Sequence, residues 1–219
     1  MSAKTGSLNR WIHETSGKDS WRVFNETGSF EKVDGQEEAN SVMDFSKIKQ
    51  TIEESFPSAI TGEDLTASPK ALIVEKESIK HVCQFLHEQE GLYFDSLSCL
   101  SGVDNGPEKG TMEVIYNVYS IPYDHHLMLK VEIERDSPSV PSVESIWKTA
   151  NWHEREAFDL LGIKFNGHPD LRRILLPNDW EGHPLRKDYQ EQEKYHGMTV
   201  TYDREESSEN EELTIKNGK

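Results

Sequence analysis

Cysteine is scarce in this chain. Only Cys83 and Cys99 occur among its 219 residues, and they do not stand in a CxxC or any other metal-ligand spacing. An iron–sulfur cluster is usually held by more cysteine thiolates than the two that this chain contains. We therefore exclude a cluster of its own and expect a reduced, buried pair of thiols.

Long hydrophobic runs are also missing. Apolar residues make up 34% of the chain and the mean hydropathy is -0.74. No run is long enough to span a bilayer, and the N-terminus has no apolar stretch of the signal-peptide kind. The sequence predicts one soluble domain with polar tails, so that any membrane association comes through a partner.

Positive charge is outnumbered. The 24 Lys and Arg residues stand against 40 Asp and Glu, which gives a net charge of -16. Such a chain is a poor direct ligand for nucleic acid or for an anionic lipid surface. Its basic clusters near the C-terminus alternate with acids, which is typical of ion pairs.

The fingerprints of common active sites are absent as well. The sequence contains no GxGxxG after a strand, no P-loop, no GxSxG elbow and no HExxH. Glu154 and Glu156 lie two residues apart and so on different faces of a helix, which does not suit shared acid–base work. We expect capping and surface pairing from these carboxylates.

What the chain does have is periodicity over residues 42–165. Alternating apolar positions predict strands at 71–74, 92–103, 111–121 and 127–133, and helical spacing predicts helices at 44–55, 77–90, from Ser142, and from Asn151. The fold class is therefore α+β, a mixed or antiparallel sheet with helices packed on one face, followed by an extended irregular C-terminal segment.

A polar N-terminal extension (1–41) precedes this domain, with aromatics that either dock on a neighbour or belong to a flexible tail. An acidic tail (190–219) follows, in which 198–202 suggests a strand on a partner.

The densest stretch is 151–189, and it opens with a helix. Asn151 followed by Glu154 resembles a capping box. Ala157, Leu160 and Leu161 predict a core-facing side, and Gly162 fits the left-handed position that ends a helix. A short strand at 163–165 comes next.

Residues 166–189 have no sustained period. Pro169, Pro177 and Pro184 break helix and ladder, and an irregular backbone is hard to bury alone, so we expect this segment to lie on a partner's surface. His168 and His183 stand in Gly-His-Pro triplets. We predict that they bond backbone carbonyls and pin the segment, and we weigh this against a metal site with nearby acids.

Specific residues of this stretch resemble a known family. They are Glu154-Arg155-Glu156, Asp159, Gly162-Ile163, Gly167-His168-Pro169-Asp170-Leu171-Arg172-Arg173 and Asp179-Trp180-Glu181-Gly182-His183-Pro184-Leu185-Arg186-Lys187-Asp188-Tyr189. The pattern resembles the C subunit of the proton-pumping NADH:quinone oxidoreductase, respiratory complex I, over 45–189. Gln190 departs from it, because the family more often has Pro there.

The resemblance implies a non-catalytic member of the peripheral arm, beside the D subunit with its quinone site and the B subunit with its terminal iron–sulfur cluster. Electrons pass from NADH through FMN and iron–sulfur clusters to quinone in that complex, and proton translocation is coupled to the transfer. It implies no cofactor in this chain, with FMN and clusters in partner subunits, and a peripheral location on the cytoplasmic face of the membrane. The expected partner-interface residues are Glu154, Arg155, Glu156, Asp159, His168, Asp170, Arg172, Arg173, Trp180, His183, Arg186, Lys187 and Asp188.

Two alternatives stay open. One is the equivalent subunit of a membrane-bound hydrogenase or formate hydrogenlyase, which shares the Glu-Arg-Glu and Gly-His-Pro pattern. The other is a stand-alone metal-dependent enzyme that uses the His/Asp cluster. Trp152 is interpreted as a core residue or an interface anchor, and Trp180 as an interface anchor.

Overall fold

The computed structural model describes residues 43–199 and two short strands before them. Strand β1 (Arg22–Phe24) pairs antiparallel with β2 (Phe30–Lys32). The chain divides into two compact units, Met1–Val42 and Met43–Lys219. The predictions for the rest of the N-terminal extension, and for the acidic tail beyond 199, lie outside the described residues.

A mixed five-stranded sheet forms the centre of the second unit. Its strands are β3 (Ile60–Asp64), β4 (Ala71–Val74), β5 (Ser96–Asp104), β6 (Thr111–Ser120) and β7 (His125–Glu134). They lie in the order β3-β4-β7-β6-β5, and every neighbouring pair is antiparallel except β4 with β7. The α+β class predicted from the sequence is confirmed. Strand β3 was not predicted, because Gly62 and the acids of this strand interrupt any apolar alternation.

Three helices join this sheet in one hydrophobic core. They are α1 (Phe45–Ser55), α2 (Ile79–Glu88) and α3 (Ala150–Leu161). The buried face of β7 consists of the apolar residues that the alternation predicted, Leu127, Leu129, Val131 and Ile133. Burial of such side chains is the main favourable term in folding.

Three local predictions are wrong. No helix starts at Ser142. Instead, β8 (Ser139–Pro141) pairs in parallel with β9 (Lys164–Asn166), and turns lead to α3. Helix α3 begins at Ala150, so Asn151 lies inside it and forms no capping box. Strand β5 begins at Ser96 rather than at 92, because Phe94 N–H still bonds Leu86 O at the end of α2.

Beyond β9 the chain is irregular, as predicted, until a small hairpin. Strand β10 (Lys194–Tyr195) pairs antiparallel with β11 (Met198–Thr199). The strand expected at 198–202 therefore pairs within its own chain over the part that is described. In residues 43–199, no helix is both long and apolar enough to cross a membrane.

Candidate partner interface

The C-terminal segment, residues 166–189, lies along helix α3 of its own chain. Its irregular backbone was expected to find partners on another protein, yet several of its donors bond α3 directly. Leu185 N–H donates to Leu160 O at 3.0 Å, and Arg186 Nε donates to Leu161 O at 2.8 Å. These bonds occupy carbonyls of the last helical turn, which have no partner inside a helix. The segment is thus built onto the domain.

Asp159 anchors the middle of this segment. Its side chain is fully buried, and its Oδ2 accepts the backbone N–H groups of Ile174, Leu175 and Leu176 at 2.8–3.0 Å. Arg173 Nη1 donates to Oδ1 at 3.0 Å. Burial alone would raise the pKa of Asp159, but these backbone bonds and the Arg173 charge lower it below its usual value. The carboxylate is therefore kept charged inside a shell of donors.

Gly162 sets the distance between α3 and the segment. It has φ +78° and ends the helix in the left-handed conformation, as predicted. A Cβ placed there would lie 2.6 Å from His183 Nε2 and 2.9 Å from Arg186 Nη2. Glycine is thus required by its backbone conformation and by the close approach of these side chains.

The two histidines pin the segment, which confirms the prediction made for them. His183 Nδ1 lies 2.9 Å from Asp159 O, and because a carbonyl oxygen only accepts, Nδ1 carries the proton. Burial lowers the pKa of His183, and the charges of Arg186 and Arg173 act in the same direction. His168 Nε2 lies 3.3 Å from Asn151 O, while its Nδ1 accepts the Asp170 N–H at 3.0 Å.

A second carboxylate, Asp104 at the end of β5, holds the far end of the segment. Arg135 binds it with two hydrogen bonds of 2.8 and 3.1 Å and also bonds Asp188. Lys187 N–H donates to Asp104 Oδ2 at 2.8 Å. The hydrogen bond from Arg135 holds the pKa of Asp104 well below its usual range, and the backbone bond from Lys187 acts in the same direction.

The Asp104–Arg135 pair was missed by reasoning from sequence. Asp104 stands in the turn-forming stretch Asp104-Asn105-Gly106-Pro107, and its Oδ1 accepts Gly106 N–H at 2.9 Å. Nothing local marks Arg135 as its partner, because the two residues are 31 positions apart and meet only through the sheet. Asp188, expected at a partner interface, is paired here with Arg135.

Glu154 and Arg155 are also engaged inside the chain. Glu154 is fully buried, accepts Ser142 Oγ–H at 2.6 Å, and accepts Val143 N–H at 2.8 Å. Burial raises the pKa of Glu154 to about 7. Arg155 Nε donates to Arg172 O at 3.3 Å, and its guanidinium lies 5.0 Å from the Trp152 ring centre. The side chains of Glu154 and Asp159 have no exposed surface and so do not belong to the outward surface of the chain.

Another set of side chains points outward. Trp152 is 64% exposed, so its interpretation as a core residue is wrong. Leu175 and Leu185 are similarly exposed and were not predicted. The exposed charged residues of the expected interface are Glu156, Asp170, Arg172, Lys187 and Asp188.

The remaining candidates are half-buried. Trp180 donates from Nε1 to Tyr189 Oη at 3.1 Å and lies 5.2 Å from the Tyr195 ring. Within the described part of the chain, no three His, Cys, Asp or Glu side chains are grouped so as to hold a metal ion. Exposed tryptophan and arginine, here Trp152 and Arg172, are enriched in protein–protein contacts. The arrangement is suited to binding another protein.

The sequence comparisons agree with one another. Residues 72–195 match the family described as the respiratory-chain NADH dehydrogenase, 30 Kd subunit. A relative from Chloroherpeton thalassium, named as the C subunit of NADH-quinone oxidoreductase, is 46% identical over 155 residues, which cover 70% of this chain and 64% of the relative. A protein of the same name from Chlorobium phaeobacteroides is 43% identical over 153 residues, covering 69% and 92%.

A solved structure has a similar fold. It is a chain of an archaeal respiratory membrane complex, the membrane-bound sulfane sulfur reductase, with a TM-score of 0.56 and 24% sequence identity. The match covers 66% of this chain and 85% of the other. At that identity the likeness supports the fold alone.

Proposed function

The chain belongs to the family of the 30 kDa subunit of respiratory-chain NADH dehydrogenase, and we propose that it acts as the C subunit of an NADH-quinone oxidoreductase. In that complex it binds other subunits and performs no chemistry itself. The observation that carries the binding role is the outward surface of α3 and the C-terminal segment. Buried anchors such as Asp159 and Asp104 fix the backbone there, while Trp152, Leu175 and Arg172 stay exposed.

These anchors hold the C-terminal segment in place before any partner binds. Binding is weakened when a loop must first be ordered, because its conformational entropy is lost at that moment. Here the irregular segment is already bonded to α3 and to β5 in the single chain. Its exposed side chains are thus pre-organised for a partner surface.

We also propose which subunits the chain binds, which subunits hold the cofactors, and on which face of the membrane it lies. The surface binds the D subunit, which holds the quinone site, and the B subunit, which holds the terminal cluster; FMN and the iron–sulfur clusters belong to partner subunits. The chain is attached to the cytoplasmic face of the membrane through them. The relatives cited above are named as NADH-quinone oxidoreductase subunits, which does not favour the hydrogenase alternative.

The test is purification of the tagged chain from its native membranes in mild detergent, with mass spectrometry of the bound proteins. Recovery of flavin, iron–sulfur and quinone-site subunits with NADH:quinone activity is the expected result. Recovery of a nickel–iron hydrogenase set, or of the chain alone with bound metal, would contradict the proposal.

A charge reversal tests the surface itself. Arg172 is exposed, and its ion pair with Asp170 is exposed too, so Arg172→Glu should leave the fold intact and lower the recovery of partner subunits. The control is Lys47→Glu on the exposed side of α1, which should assemble normally. Arg186 is a poor site for this test, because its bond to Leu161 O makes it part of the chain's own structure.

A further inference from the structure

Strand β5 is an edge of the sheet, and most of that edge is open. Among the strands that the structure describes, β5 pairs only with β6. At its beginning the outer side is covered, because Thr149 Oγ1 bonds Leu97 O and Trp147 Nε1 bonds Phe94 O. Over residues 98–103, no backbone group bonds anything but β6 within the described part of the chain.

The protection of this edge is limited to its start, where the register with β6 shifts between Leu97 and Cys99 as in a β-bulge. Natural edge strands discourage pairing with other chains through lysine, proline or inward charges. Residues 98–103 read Ser-Cys-Leu-Ser-Gly-Val and contain none of these. Ser98, Ser101 and Val103 are exposed. The backbone donors and acceptors here are available to an added strand.

A cleft of about 250 Å³ lies beside the open edge, between β5 and α3. Its helix side combines the apolar residues Ala157, Leu160 and Leu161 with His153 and Glu156, and Gly102 of β5 and Leu185 of the C-terminal segment also line it. A strand added to β5 would point every second side chain toward α3. One aliphatic or aromatic side chain of that strand would therefore enter the cleft.

The charge of the chain favours a different protein, rather than a second copy of this chain, as the binding partner at the β5 edge. Glu156 stands at the cleft, is exposed, and has no ion pair or hydrogen bond among residues 43–199. It is thus free to meet a basic residue of an incoming segment. Two copies of a chain with a net charge of -16 would repel each other.

We propose that the outer edge of β5 receives an extended segment of another subunit of the complex. The segment adds a sixth strand to the sheet, inserts an apolar side chain into the cleft, and places a lysine or arginine near Glu156. This inference rests on the proposed function, since it needs the assembled complex.

Native cysteines provide the first test. Cys99 lies on β5 at the cleft and is partly exposed, which corrects the expectation of two buried thiols, whereas Cys83 is fully buried. The isolated full chain and the purified complex are treated with a maleimide, and labelled peptides are quantified by mass spectrometry. We expect Cys99 to lose roughly tenfold in labelling rate on assembly, with Cys83 unlabelled in both.

Amide hydrogen exchange gives a readout that does not depend on thiol reactivity. Strand addition forms new backbone bonds, so amides of 98–103 should exchange roughly tenfold more slowly in the complex than in the isolated chain. Unchanged exchange in an intact complex would overturn the inference and leave the proposed function standing. If the chain joins no complex, both fall.

Cross-linking from Cys99 identifies the occupant. A photoactivatable maleimide should join Cys99 to another subunit, at an extended segment that carries a basic residue. A cross-link to residues 1–42 of the same chain, or to a second copy, would overturn the proposal. Glu156→Lys should reduce the protection of 98–103 in the complex, and Glu54→Lys, an exposed acid on α1, should not.

Discussion

The sheet domain and the C-terminal segment are held in place by different forces. Residues 43–165 share one apolar core, to which the sheet and all three helices contribute. Residues 166–189 have one side chain, Leu171, packed against that core, and the segment otherwise depends on polar anchors. The principal anchors are Asp159 and Asp104.

The two regions should therefore lose their folded structure in response to different substitutions. Apolar contacts are non-directional and distributed over many residues, so loss of one weakens the whole core. A buried carboxylate that accepts several hydrogen bonds concentrates the stabilisation at one position. The segment should therefore be released by single substitutions that leave the sheet folded.

Breaking the core gives the largest expected effect. Leu129 is fully buried on the central strand β7, and Leu129→Ala should lower the free energy of unfolding by about 2–5 kcal/mol. Urea denaturation followed by circular dichroism measures this. Leu65→Ala, at a residue that is 56% exposed, is the control and should change little.

Two glycines allow the free-energy cost of backbone strain to be measured separately from the cost of side-chain crowding. Gly162 ends α3, and Gly167 lies in the C-terminal segment. Both Gly162 and Gly167 have positive φ, but a Cβ at Gly167 meets nothing within 4 Å. Gly167→Ala should cost roughly 1–2 kcal/mol from backbone strain. Gly162→Ala should cost about 1 kcal/mol more, because His183 and Arg186 must move. Equal losses in thermal denaturation would show that the close approach contributes nothing.

Asp159→Asn tests the polar anchor directly. The amide retains one oxygen, so its NH₂ group faces either the backbone N–H donors of 174–176 or Arg173. We expect local opening to become easier by about 1–3 kcal/mol, seen as faster amide exchange at 174–176. Exchange in β6 and β7 should hardly change. Asp170→Asn, in an exposed ion pair, is the matched control.

Substitution of Glu154 should change the free energy of unfolding least, and the size of that change should depend on pH. The folded protein binds this proton more tightly than the unfolded chain, because burial raises the pKa from 4.5 to about 7. Its contribution to stability is therefore fully present below the unfolded pKa and is lost as pH rises through the folded value.

Glu154→Gln mimics the protonated form and removes this dependence. Between about pH 6 and pH 8, the wild-type chain should lose about 1 kcal/mol relative to the variant in urea unfolding. Glu156→Gln, at the exposed acid two positions later, should follow the wild-type dependence. A parallel dependence for Glu154→Gln would mean that Glu154 is ionised throughout.

The sequence was sufficient for several features whose signal is local, although not for the helix expected at Ser142 or the capping box at Asn151. Alternation identified β6 and β7, because successive side chains on a strand must face opposite sides. Gly162 was identified as a helix end, since its left-handed backbone favours glycine. The Gly-His-Pro triplets were correctly interpreted as pins for an irregular backbone.

Tertiary structure alone decided which polar residues are buried. Glu154 and Glu156 look equivalent in sequence, yet one is buried and bonds Ser142 and Val143 while the other faces solvent. Arg135 meets Asp104 because strands β5 and β7 flank β6 in the sheet. Periodicity fixes local conformation and the side of an element that is apolar, but contacts between distant residues depend on strand order, which no local pattern contains.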